Sequence, residues 1–189
     1  MLRKIVVLIV IGFSWYCLSN AQTKENKVEV VASFEDEADV DLWTADDGAE
    51  IIGEHNTEGA KSLKVEYKAD ETKEKRCCIE GKKFESLFPS DWRIYKSIKI
   101  DVFNKSDKEG LLQVRIKSDE HQKIWSKAFK IPANKPYTIE ITTDELKTKI
   151  NLDNVMYLGF TMGKNQYLTD MKPLDSNFTL YFDNIRFVK

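Results

Sequence analysis

Three cysteines, four prolines, eight glycines and two histidines are all that 189 residues contain of those types. Each shortage excludes something. Two of the cysteines, Cys77 and Cys78, are adjacent. A bridge between neighbouring strand residues, which point to opposite faces, would need a strained ring, so no disulfide framework holds the chain and a packed core must. The expectation is one buried and one partly exposed thiol. His55 and His121 lack the spacing of a zinc site, and no glycine-flanked serine nucleophile occurs. Basic residues do not outnumber acidic ones (29 Lys and Arg against 31 Asp and Glu), so no basic surface for nucleic acid is expected.

Long apolar runs are also missing, with one exception at the start. Arg3 and Lys4 precede an apolar stretch from Ile5 to Phe13, and Ser19 and Ala21 stand at the −3 and −1 positions of a cleavage site. This reads as a signal peptide over 1–21, too short and wrongly flanked for a spanning helix. Two alternatives stay open, lipidation at Cys17 and an uncleaved anchor. Cleavage leaves a polar leader, 22–28, and one domain, 29–189. The product is expected outside the cytoplasm, secreted, periplasmic or on the cell surface, and not membrane-bound once cleaved.

What is present is alternation. Leu63, Val65 and Tyr67 alternate with lysine and glutamate. Ile98, Ile100 and Val102 oppose Lys99, Asp101 and Phe103. Leu112, Val114 and Ile116 oppose Gln113, Arg115 and Lys117, and Tyr137, Ile139 and Ile141 oppose Thr138, Glu140 and Thr142. A period of two marks half-buried antiparallel strands, with turns at 56–59, 104–110 and 132–136. Helix is expected only at 143–147. The fold class is all-β, an antiparallel β-sandwich of two sheets.

The last apolar stretch, "TLYFDNIRF" (179–187), breaks this rule. Either Asp183 shares a face with Tyr181, Ile185 and Phe187, or Phe182 and Ile185 both point inward and Asp183-Asn184 forms a bulge. An unpartnered buried carboxylate is too costly to keep.

Four stretches in order, "SFEDEADVDLW" (33–43, read as an early strand), "EHNTEGAKSLKVEY" (54–67), "SDWRIYKSIKIDVFN" (90–104) and "LYFDNIRF" (180–187), resemble the β-jelly-roll carbohydrate-binding modules with a galactose-binding-like fold found on bacterial glucanases. The resemblance implies that the first and last strands meet. It also implies a structural Ca²⁺ held by Glu35, Asp183 and backbone oxygens of the 59–62 turn, Lys61 among them. Read without the resemblance, Glu35 belongs to a solvated acidic turn.

Sugar recognition needs planar polar groups for paired hydroxyls and an aromatic face for the apolar side of a pyranose. Asp101, Gln113 and Arg115 project away from the aliphatic rows; Trp125, Tyr157 and Arg76 complete the candidate set. Trp125 shares parity with Phe129 and Ile131, which also suits the core, as do Trp43, Trp92 and Tyr95. An ordinary solvated sheet face is the plain alternative. The expected function is a non-catalytic, monomeric module binding a polysaccharide or oligosaccharide, β-glucan-like, on a concave sheet. The alternative is a protein-interaction or envelope-assembly domain of the same fold.

Overall fold

A computed structural model describes residues 27–119, 121–164, 168 and 171–189. The stretch read as a signal peptide, with Cys17, lies outside the described residues, as does most of the stretch read as a leader, although the first strand begins at Val28. Among the described residues eleven strands form: β1 (Val28–Ala32), β2 (Thr44–Ala45), β3 (Ala49–Ile52), β4 (Ser62–Tyr67), β5 (Lys75–Glu80), β6 (Ser97–Asn104), β7 (Gly110–Ser118), β8 (Lys123–Ile131), β9 (Pro136–Thr142), β10 (Val155–Met162) and β11 (Phe178–Val188). Two short helices, α1 (Gly81–Leu87) and α2 (Thr143–Leu146), interrupt them. The stretch read as an early strand is instead a 3-10 turn at Glu37–Leu42, started by the Asp36 carboxylate accepting the Ala38 N–H. An aspartate at that position competes with strand formation by satisfying a free amide of the turn.

Sheet A runs β3-β4-β11-β6-β9, with β1 also paired to β11, and sheet B runs β2-β5-β10-β7-β8; every pairing is antiparallel. The aliphatic rows anticipated from alternation face inward from both sheets. Aromatic contacts join them: Phe160 of sheet B stacks on Phe182 of sheet A at 4.2 Å, and Trp43 stacks on Phe160 at 5.7 Å. Trp92 and Tyr95 pack against Phe187.

Strand β11 resolves the irregular run as a bulge. Asp183 pairs with Asp101 and Arg186 with Lys99, so three steps on β11 match two on β6. Asn184 takes up the extra residue in the left-handed region (φ 47°), which asparagine tolerates better than most residues. Leu180, Phe182, Ile185 and Phe187 therefore all reach the core, and Asp183 does not stand in their row.

Candidate functional site

Sheet B has a second face, turned away from the core, and its register lays out three rows. Glu80, Tyr157 and Lys117 form one; Cys78, Gly159, Arg115 and Ser126 the next; Arg76, Thr161, Gln113 and Ala128 the third. Period-two alternation puts these groups here because their neighbours fill the core. Glycine at 159 has a specific consequence. A Cβ there would stand 2.3 Å from the Tyr157 hydroxyl, so the tyrosine ring lies along the strand over the space a side chain would fill. The Lys117 ammonium sits 4.1 Å from the centre of that ring, and His121 meets it edge-on. Burial pushes the Tyr157 hydroxyl well above its ordinary range, with Cys78 alongside reinforcing the effect.

Arg115 is held as a fork. Its Nη2 donates to Glu74 Oε2 at 2.9 Å and to Gln113 Oε1 at 2.9 Å, while Nη1 donates to Glu74 Oε1 at 3.3 Å. Gln113, Arg115 and Tyr157 are 0%, 3% and 1% exposed, whereas the Arg76 side chain is half exposed. The face thus has a closed floor and a rim of Arg76 and Lys117. Cys78 is buried too, so both thiols are shielded, one on each side of the sheet.

Four of the six residues singled out as sugar contacts, Arg76, Gln113, Arg115 and Tyr157, are brought together here. The other two are not. Trp125 opposes Ile116 inside the sandwich and packs in the core, as its parity with Phe129 and Ile131 requires. Asp101 lies on sheet A, because the chain crosses between sheets in passing from β6 to β7. Glu74 and Cys78 were missed. Glu74 sits in a polar run, "TKEK", with nothing to mark its partner 41 residues away.

On the outer face of sheet A, Asp101 is a hub. Its Oδ2 accepts from Arg186 Nη1 (2.8 Å), Asn184 Nδ2 (2.9 Å) and Thr57 Oγ1 (2.9 Å), and its Oδ1 from Thr138 Oγ1 (2.7 Å). Asp183 alongside accepts the backbone N–H groups of Thr57 (2.5 Å) and Glu58 (2.8 Å) through Oδ2, and that of Asn184 (2.7 Å) through Oδ1. Glu35 Oε1 takes two further amides of the same turn, those of Ala60 (2.9 Å) and Lys61 (3.1 Å). Gly59 leaves room for that carboxylate: a Cβ would lie 2.3 Å from Glu35 Oε1.

This donor set does not fit the calcium site that the resemblance implied. Successive backbone N–H groups form concavities for anions, and their positive ends point at the two carboxylates where a cation would need acceptors. Lys61 gives Glu35 its backbone N–H and pairs through Nζ with Glu37. Among the described residues, no group of three or more His, Cys, Asp or Glu could hold a metal ion. The turn is pinned by carboxylates in amide cradles.

No protein-family model matches the sequence, and no curated protein matches it. Solved structures do. The family 11 carbohydrate-binding module of the cellulosomal cellulase Lic26A-Cel5E of Clostridium thermocellum is 15% identical, with a TM-score of 0.59 over 85% of this chain and 94% of that one. A structure of the Clostridium thermocellum family 11 module in complex with a β-1,3-1,4-mixed-linked tetrasaccharide gives 16% identity and a TM-score of 0.60, with the same shares covered. An exo-β-agarase matches with a TM-score of 0.65 at 13% identity over 85% of this chain, but over 24% of its own length. At these identities the likeness is one of fold, and the fold is that of the β-sandwich carbohydrate-binding modules.

Proposed function

We propose that the domain binds a neutral polysaccharide through the polar face of sheet B, as an exported, non-catalytic module. The observation that carries this reading is the Tyr157 ring laid flat over Gly159, next in register to an Arg115 guanidinium fixed by Glu74 and Gln113. A pyranose offers an apolar C–H face and pairs of equatorial hydroxyls. Cationic donors at the rim answer the hydroxyls, while the buried Tyr157, Arg115 and Gln113 fix the shape of the face beneath them. Arg115, Gln113 and Tyr157 supply the floor, and Arg76 and Lys117 the rim by which a glycan is engaged. A β-glucan is the first class to try, since a neighbour of this fold was solved with a mixed-linked tetrasaccharide.

Affinity electrophoresis through gels containing mixed-linked β-glucan, xylan, mannan or agarose tests the reading. Retardation by at least one polysaccharide is expected, weakened by Arg76→Ala, a rim substitution that leaves the core untouched. Free migration through all four would overturn it.

A further inference from the structure

Sheet A carries a pocket of its own, far from the polar face of sheet B because the sandwich core lies between the two. It opens between the 53–61 connection and edge strand β9, with β6 as its floor, and encloses about 390 Å³. Its principal walls are His55, Thr57, Asp101, Phe103, Thr138 and Arg186. A volume of this order is that of a small-molecule site.

The wall is preformed. His55, in the left-handed region (φ 51°), stacks flat on Phe103 with ring centres 3.8 Å apart and planes 7° from parallel. Tyr181 meets its ring edge-on at 4.6 Å. Tyr181 is itself tied through its hydroxyl to Glu54 (2.9 Å), which also holds Lys105 (2.8 Å). His55 is nonetheless exposed, so its rigid ring is presented to solvent.

The polar end is equally fixed. Among the described residues Arg186 makes its hydrogen bonds through Nη1 alone, to Asp101 Oδ2 (2.8 Å) and the Asn184 carbonyl (2.7 Å), which leaves Nε and Nη2 as a donor edge. Among the described residues Asp101 Oδ1 accepts only from Thr138, and a carboxylate oxygen has capacity for another donor. Arg186 and Asp101 neutralise each other at 2.8 Å, and the neighbouring Asp183 is occupied by backbone amides. The pocket thus combines donors, an acceptor and an aromatic face without a dominant charge.

We infer that this pocket is a second ligand site, for a single neutral sugar unit. A hydroxylated ring both donates and accepts at adjacent positions and has an apolar face to lay on an imidazole; an anion would meet Asp101, and a cation Arg186. The inference does not rest on the sheet B reading.

Amide-resolved NMR titration of the whole domain with methyl β-glucoside, methyl β-galactoside, methyl β-xyloside, methyl β-mannoside and a mixed-linked β-glucan tetrasaccharide tests it, with inorganic sulfate as the anion control. Saturable shifts at 55–57, 101–103 and 137–138 with at least one sugar are expected. His55→Asn, which tolerates the same backbone conformation, should weaken that binding roughly threefold to tenfold through loss of the ring. Phe103→Leu, which removes the support beneath His55, should do likewise and decides the matter if the first variant does not fold. Shifts there without shifts at 76, 113, 115 and 157 would support this site and remove the sheet B reading. Shifts confined to sheet B, a response to sulfate alone, or wild-type affinity in the variants would overturn it.

Discussion

Asp101 and Asp183 sit opposite each other across β6 and β11, and the fold treats these two carboxylates differently. Burial acts to raise the Asp101 carboxyl, but the bonds from Arg186, Thr138 and Thr57, with the Arg186 charge, outweigh it and hold it below its ordinary range. Ionised Asp101 therefore stabilises the fold. That contribution is complete above about pH 4, the unfolded value, and is lost as pH falls through the lowered folded value. Burial raises Asp183, and the amides of Glu58, Thr57 and Asn184 offset it only in part. Its contribution has the opposite sign, present in acid and declining as pH rises through the raised folded value. Urea unfolding from neutral pH to pH ~3 should show Asp101→Asn losing less stability than wild type in the final acid step; an identical decline in both would contradict the assignment. Asp183→Ala leaves two turn amides without their acceptor and should cost about 2–3 kcal/mol at neutral pH. A cost under about 0.5 kcal/mol, the size of an ordinary surface change, would show that the amides are solvated instead.

At the scale of elements, the bulge was one of two readings that "TLYFDNIRF" left open, and it is the one that puts Leu180, Phe182, Ile185 and Phe187 in the core together. What compensated Asp183 was not readable. A turn's amides leave no mark in side-chain chemistry, whereas an acidic pair readily suggests a cation. The same blindness to backbone chemistry turned Glu37–Leu42 into a strand on paper, when Asp36 starts a turn there. The candidate face was partly legible, since alternation on β7 turns Gln113 and Arg115 away from the core, but the sheet to which β6 belongs is a matter of topology, and Asp101 falls on the other sheet for that reason. Asn184→Val should destabilise the domain by about 1–2 kcal/mol, because a β-branched residue resists the left-handed conformation of the bulge. Asn184→Gly should fall close to wild type; thermal unfolding of both variants checks this.

For the molecule as a whole, the sandwich is closed by its core and by the amide-bound carboxylates of Glu35 and Asp183. Its melting temperature should accordingly be the same in EDTA as in millimolar calcium. A rise on adding calcium would mean that the 56–61 turn rearranges to offer its carbonyls.

Binding on sheet B is tested most directly by calorimetric titration of a mixed-linked β-glucan tetrasaccharide into the wild-type domain and into Gly159→Ala, whose added methyl group would lift the Tyr157 ring from the sheet. We expect measurable, saturable heat for the wild type, and affinity lower by roughly threefold to tenfold in a variant that remains folded by circular dichroism. A folded Gly159→Ala that binds as tightly as the wild type would contradict the assignment of the glycan to this face.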